Sequence, residues 1–374
     1  MEKIVKKPIV FIKSYGCAFN RFCSERLKNS LVDYFFVYNQ SFGSDRNFFR
    51  NKKEEKIASE AEYLVIFACP ITRYLEKMSA DFISNIAKSN KNARIIITGC
   101  SLSHPETLLK NKQENKNISF LTDKEMQAFF KKNRGTAIKE NYFINDAPRI
   151  GTLLIKIGCD NYCSYCICPH INKIKNVSLS EIKKEIKNIQ KERFESIEFA
   201  GSCVGDWINP KNKKFKFADL VEFILLKTDL KIVNLELYPT DFTDNLIRLL
   251  ANNKISKDIS IPIQSGSDRV LRLMGRKYDK AILKKILDNL FRSVSELQLT
   301  TDIIIGFPGE TKNDLLETLD FLKSFEFYRI DVYRYSNIKK LEKEIFGNSV
   351  DYFSEIIKDK KYKEINKAIN LTSA

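Results

Sequence analysis

The chain has no uninterrupted apolar stretch near the roughly 20 residues that cross a bilayer. Its first apolar run, Pro8 to Ile12, is too short for the apolar region of a secretion signal. It also has no internal repeat at a solenoid period and no extended low-complexity tract. These absences argue against a membrane span, a secreted protein and a repeat array, and they set the cytoplasm as the expected compartment. Acidic residues are the scarcer charge: 63 Lys and Arg stand against 47 Asp and Glu, a formal net charge of +16. Such an excess lowers the cost of approaching a polyanion such as RNA. It is equally the outcome of a compositional drift toward Lys, Asn and Ile, with the lysines on solvated helix faces.

With 374 residues, 43% of them hydrophobic, the chain can bury at least two cores, so two domains are expected. Nine cysteines without a secretion signal are poor material for a disulfide framework, because the cytosol keeps thiols reduced. Metal binding or catalysis is the better expectation.

Residues 1–135 alternate short β-branched runs with amphipathic helical segments, the pattern of a doubly wound parallel sheet. Strands are predicted at Ile9–Lys13, Tyr63–Phe67, Arg94–Thr98 and Ile118–Leu121. Helices are predicted near Phe22–Tyr34, Leu75–Lys88, Pro105–Leu109 and Lys124–Lys131, with Asn39–Glu55 as an excursion loop. Cys17, Cys69 and Cys100 each fall just past the carboxyl end of a predicted strand, the edge of an open parallel sheet where ligands bind. The bland alternative for these three is core packing, since free Cys is among the most buried residue types.

A charged stretch at Lys132–Arg149 reads as a linker. Residues 148–336 then show six strand-then-helix units, with strands near Leu153–Ile157, Ser196–Ala200, Ile232–Leu237, Ile259–Ile263, Thr300–Ile305 and Ile330–Tyr333. Six units suit a partial (β/α)6 barrel with its chemistry at the carboxyl-terminal mouth. Residues 337–374 are Lys-rich and expected to be helical at Tyr352–Ile369.

On the loop after the first barrel strand, Cys159, Cys163 and Cys166 stand in a CxxxCxxC spacing. Three thiolates hold three irons of a four-iron cubane and leave the fourth without a protein ligand, open to a small molecule. A structural zinc site is the rival reading, with Cys168 or His170 as the fourth ligand.

With these cysteines in view, the chain resembles the radical S-adenosylmethionine superfamily, and within it the methylthiotransferase family. The likeness rests on CxxxCxxC together with Tyr15-Gly16-Cys17-Ala18-Phe19-Asn20, Ala68-Cys69-Pro70 and Thr98-Gly99-Cys100. The stretches Ile261-Pro262-Ile263-Gln264-Ser265-Gly266-Ser267-Asp268 and Thr301-Asp302-Ile303-Ile304-Ile305-Gly306-Phe307-Pro308-Gly309-Glu310-Thr311 extend it through the barrel. The resemblance implies two [4Fe–4S] clusters, one on Cys159, Cys163 and Cys166 and one on Cys17, Cys69 and Cys100. The first binds S-adenosylmethionine and generates a 5′-deoxyadenosyl radical in a dry cavity, while the second carries the sulfur to be delivered. Gly201, Gln264, Ser265 and Phe307 are the implied cofactor-contacting positions, although the glycine-rich turns that carry them also suit plain strand-to-helix connections. No residue is assigned an acid, base or nucleophile role.

The implied substrate is carbon 2 of a modified adenosine beside a tRNA anticodon, and the implied electron donor is a flavodoxin or ferredoxin. A ribosomal protein or peptide side chain is the second enzymatic reading, and an inactive cluster-binding module is the non-enzymatic one. Oligomeric state is not legible. Three features depart from the family pattern. Cys168-Pro169-His170-Ile171-Asn172-Lys173-Ile174-Lys175 replaces a Pro-Tyr-Thr-Arg-Gly-Arg-like run, and Lys does not reproduce Arg's two-pronged bonding. Ser202 and Cys203 replace a Gln-Asn pair. A C-terminal TRAM domain is also expected to be lacking.

Overall fold

The structure, a computed structural model, describes residues 8–15, 18–41, 52–69, 73–99, 102, 117–133, 143–144, 150–166, 168–171, 173–335 and 369–371. It divides into two compact units, Met1–Pro148 and Arg149–Ala374.

In the first unit the strands are β1 (Ile9–Ser14), β2 (Phe36–Ser41), β3 (Tyr63–Phe67), β4 (Arg94–Thr98), β5 (Ile118–Phe120) and β6 (Phe143–Ile144). The helices are α1 (Ala18–Leu31), α2 (Lys52–Glu60), α3 (Arg73–Ser89) and α4 (Asp123–Asn133). All six strands pair in parallel, in the order β5-β4-β3-β1-β2-β6. Buried side chains alternate between two cores. Phe11, Leu64, Ile66, Ile95 and Ile97 pack on one face and Val10, Ile12, Val65 and Ile96 on the other, as a sheet covered on both sides requires. From β1 the chain winds to β2 on one side and to β3 on the other, so the order reverses between β1 and β3, the position where open α/β sheets bind ligands.

Two expectations need correction here. Asn39–Ser41 is the end of β2 rather than a loop, and Lys52–Glu55 opens α2. The aromatic and β-branched start of β2 pairs with Ile9–Phe11 of β1, and the continuing register carries the polar Asn39 and Gln40 into the sheet beside Ile12 and Lys13. The linker is likewise shorter than expected, because Lys132 and Asn133 end α4 and Phe143–Ile144 adds β6 to the sheet edge. The helix expected at Pro105–Leu109 lies outside the described residues.

The second unit runs β7 (Ile150–Leu154), β8 (Lys156–Ile157), α5 (Cys168–Ile171), β9 (Lys175–Asn176), α6 (Leu179–Lys191) and β10 (Ser196–Ala200). It continues with α7 (Phe217–Lys227), β11 (Lys231–Ile232), β12 (Leu235–Glu236), α8 (Asp244–Leu250), β13 (Asp258–Ser260) and α9 (Asp268–Leu273). The last elements are α10 (Lys280–Ser293), β14 (Gln298–Ile305), α11 (Lys312–Lys323), β15 (Arg329–Arg334) and β16 (Ile369–Leu371). Two parallel sheets, β11-β10-β7 and β12-β13-β14-β15-β16, form the wall of the expected partial barrel. The third expected strand is split at Asn234, whose left-handed φ of 52° separates β11 from β12. Helix α6 shows how the wall is covered: Ser178 and Glu181 form a capping box, and Ile182, Ile186 and Ile189 bury one stripe against the strands. Each such isoleucine contributes about 1.5–3 kcal/mol of burial.

The helical C-terminal tail is also corrected in part. Residues 352–368 lie outside the described set, but Ile369–Leu371 is a strand pairing in parallel with β15, which satisfies backbone groups that an edge would leave open. No described helix is long and apolar enough to cross a membrane.

Asp314 locks α11 onto the turn before α9. It accepts from Thr311 N at 2.8 Å, Ser267 Oγ at 2.7 Å and Arg269 Nε at 3.1 Å, with a second guanidinium contact from Arg269. Burial opposes its charge, but the bonds from Arg269, Thr311 and Ser267 outweigh burial and hold its carboxyl well below the usual carboxylate range. A depressed folded-state value contributes stability that is present above the unfolded value, about 3.9, and lost as pH falls below it. Asp314→Asn is therefore expected to cost about 2–3 kcal/mol at pH 7, with the difference from wild type narrowing below about pH 4. The urea midpoint read by Trp207, the chain's one tryptophan and fully buried in this unit, measures it.

Candidate active site at the barrel mouth

The cysteine loop leaves the sheet where β7 ends and β8 turns aside to pair with β9 in antiparallel fashion. Cys166 N donates to Cys163 O at 3.0 Å, closing the turn between the second and third cysteines. The loop is held from outside by the segment after α9. Ser164 N donates to Met274 O at 3.0 Å, and Ser164 Oγ donates to Leu273 O at 3.0 Å. Cys163 is 5% exposed, and Cys159 and Cys166 are half-buried. The neighbouring Cys203 thiol holds Cys159 down to about 6, against the pull of burial. Cys168 does the same for Cys166, to about 7. Cys203 itself is pushed well up, first by Cys159 and then by burial. Two of the three sulfurs are therefore readied as thiolates, the form that binds metal.

Among the described residues no three His, Cys, Asp or Glu side chains converge on a single ion, as a mononuclear zinc would need. A cubane is larger and takes its sulfurs from further apart. Soft sulfur donors poised as thiolates in one short loop fit that group.

Around the loop the barrel strands end in a charged cluster that motif reasoning missed. Lys156, 2% exposed, is paired with Asp206 and lies 3.7 Å from Asp160. Burial works against the Lys156 charge, yet the Asp206 partner raises its pKa overall. Burial pushes Asp206 up, and it pushes Asp241 up to about 7 with the Asp206 charge adding to it. Asn161 Nδ2 donates to Cys203 Sγ at 3.1 Å, tying the cysteine loop to the turn after β10. The one visible signal was a lysine at the end of an otherwise apolar strand.

The expected cofactor positions separate into two groups. Gly201 sits at φ 147°, and a Cβ there would stand 2.2 Å from Lys156 O, so only glycine permits this approach of β10 to β8. Gln264, at φ 72°, continues the pairing of β13 with β14: its N donates to Asp302 O at 2.8 Å, and its O accepts from Ile304 N at 2.9 Å. Ser265, fully buried, is turned to α11, with its Oγ 3.1 Å from Thr318 Oγ1 and accepting from Ser267 N at 3.1 Å. Gly266 is pressed on the same helix, where a Cβ would stand 2.7 Å from Thr318 Cα. Phe307 packs with Val270, Met274 and Tyr335 behind the loop-holding segment. Its turn is stitched by Glu310, which accepts from Gly306 N at 2.6 Å. Burial holds Glu310 up at about 7.

In the first unit, Cys17 and Cys100 lie outside the described residues. Cys69 is fully buried just past β3. There Asn20 Nδ2 donates to Tyr15 O at 2.7 Å and to Ala68 O at 3.4 Å, joining the carboxyl ends of β1 and β3.

Residues 153–322 match the family model described as Radical SAM superfamily. The tRNA-2-methylthio-N(6)-dimethylallyladenosine synthase of Thermotoga petrophila is 26% identical over 345 residues, covering 87% of this chain and 74% of that protein. The threonylcarbamoyladenosine tRNA methylthiotransferase MtaB of Thermotoga maritima is 27% identical over 347 residues, with the same coverage. Among solved structures, the radical S-adenosylmethionine methyltransferase TsrM from Kitasatospora setae, with cobalamin and a [4Fe–4S] cluster bound, superposes with a TM-score of 0.59 at 12% identity. That match covers 88% of this chain and 75% of TsrM and bears on the fold. A radical SAM domain implies a [4Fe–4S] cluster and S-adenosylmethionine as cofactors. Residues 153–322 thus carry a radical SAM domain, in a chain similar over most of its length to tRNA methylthiotransferases.

Proposed function

We propose that the enzyme installs a methylthio group at carbon 2 of a modified adenosine beside a tRNA anticodon. The observation that carries this reading is similarity to two tRNA methylthiotransferases over 87% of the chain, a span too long for the barrel match at 153–322 alone. The excess of 63 basic over 47 acidic residues agrees with a polyanionic substrate.

In this reading Cys159, Cys163 and Cys166 ligate one [4Fe–4S] cluster, and Cys17, Cys69 and Cys100 a second. With S-adenosylmethionine bound, the first cluster supplies a carbon radical able to take hydrogen from an unactivated carbon. Gly201 lets the turn after β10 close against the Lys156 backbone of β8, the strand from which the cysteine loop departs. The buried Phe307 keeps water from the segment that holds the cysteine loop. Gln264, four residues past β13, offers a side-chain amide. Ser265 acts one step back by fixing the turn that presents Gln264. A flavodoxin or ferredoxin is the matching electron donor, and the cytoplasm the matching compartment.

Two cubanes require about eight irons per chain. A Cys17→Ala, Cys69→Ala, Cys100→Ala variant is expected to fall to about four in anaerobic iron and sulfide analysis. Transfer RNA from a deletion strain is expected to lose a methylthio nucleoside. An unchanged nucleoside profile sinks the tRNA substrate, and methylthiolation of a supplied peptide would then redirect the reading to protein.

A further inference from the structure

Arg276 has no role in anything derived so far; the residue is half-buried, and its guanidinium is enclosed by protein groups. It follows Met274 and Gly275, the segment whose backbone holds the cysteine loop. Its Nη2 donates to Pro262 O at 2.7 Å, and its Nε donates to Tyr278 OH at 2.5 Å. Its Nη1 donates to Tyr165 OH at 2.9 Å and reaches Cys163 Sγ at 3.5 Å. The guanidinium carbon stands 4.3 Å from the centre of the Tyr238 ring and 4.9 Å from that of Tyr278. Tyr278 OH is fixed in turn by Ile263 O at 3.0 Å, and Lys277 N holds Tyr238 OH at 3.0 Å. The cage thus orients the fork as well as enclosing it.

A buried guanidinium is costly to keep without an anion beside it. Among the described residues, no carboxylate forms an ion pair with Arg276, whereas Arg269 and Arg329 each have one. The aromatic faces and phenol oxygens stabilise the cation without neutralising it. The one contacting group that becomes an anion when a metal binds is the Cys163 sulfur.

We propose that Arg276 is a positioning residue that sets the reduction potential of the cluster on Cys159, Cys163 and Cys166, by donating to the Cys163 thiolate and countering the cluster's charge. Reduction adds one electron to the cluster, so a fixed cation at a ligand sulfur favours the reduced form. Hydrogen bonds to ligand sulfurs act in the same direction. The inference rests on those three cysteines being the ligands.

The test is a dithionite titration of the reconstituted full chain, followed by electron paramagnetic resonance of the signal that S-adenosylmethionine perturbs. Arg276→Gln is expected to keep its iron and to show a reduced-to-oxidised ratio lower by about tenfold at the wild-type midpoint, a shift of about 59 mV to more negative potential. Arg276→Lys keeps the charge and loses the fork, so its shift is expected to be smaller and of the same sign. A midpoint in Arg276→Gln within about twofold of the wild-type ratio, iron retained, overturns the proposal. Loss of iron from both variants with native Trp207 fluorescence also overturns it, since Arg276 would then be holding the loop rather than tuning the cluster. If wild type binds no iron through these cysteines, the ligand reading fails, and this inference falls with it.

Discussion

Cys163→Ala is expected to remove about four irons per chain and to lower S-adenosylmethionine cleavage by two orders of magnitude or more, while the barrel stays folded. Cys163 is the most enclosed of the three motif cysteines, and the turn it occupies is shaped by backbone bonds that alanine preserves, Cys166 N to Cys163 O and Ser164 N to Met274 O. Loss of one small sulfur costs on the order of 1 kcal/mol, within the stability of a unit this size. The cluster has less tolerance. With three protein ligands proposed for four irons, removal of one leaves two, whereas loss of an outer-shell contact alone typically costs about 10–100-fold in metal affinity or activity. Trp207 fluorescence reports folding, iron analysis reports the cluster, and 5′-deoxyadenosine release reports cleavage. Retained iron together with retained cleavage would remove Cys163 from the ligand set.

The same loop marks the boundary of what could be read in advance. CxxxCxxC is local, and its meaning survives without knowing the fold. Strands β3 and β4 coincide with the expected segments, and β1 does within a residue, because Ile- and Val-rich runs buried on both faces leave little ambiguity. Strand β2 was missed because its polar half is held by pairing with β1, a non-local contact. Gln264-Ser265-Gly266-Ser267 looks the same whether a turn lines a ligand or packs on a helix. Thr318, which engages the Ser265 hydroxyl, is 53 residues away. Arg276 draws its cage from Tyr165, Tyr238 and Tyr278, brought together only by barrel closure. Pairing of β16 with β15 depends on an open sheet edge that no local pattern in Ile369–Leu371 announces.

The largest effect on folding is expected at Lys156. Its ammonium is fully enclosed, paired with Asp206, and 3.7 Å from Asp160. Met matches the length of Lys and fills the same channel, so Lys156→Met removes the charge with little change in packing. What remains is Asp206, a carboxylate that burial already pushes up, with its cation gone and Asp160 nearby. Breaking a buried pair from one side costs about 3–5 kcal/mol, because the surviving charge must be either buried alone or neutralised. Neutralisation has a readable sign. A carboxyl raised in the folded state binds its proton more tightly there than in the unfolded chain, so the stability of Lys156→Met is expected to fall as pH rises from about 4. Adding Asp206→Asn removes the orphaned charge and is expected to restore about 2 kcal/mol, with the non-additivity giving the pair's coupling directly. Urea unfolding read at Trp207 for wild type, both single variants and the double variant completes the cycle. Additive losses would mean that Lys156 and Asp206 act independently and that the closeness of β8 to the turn after β10 does not depend on their pairing.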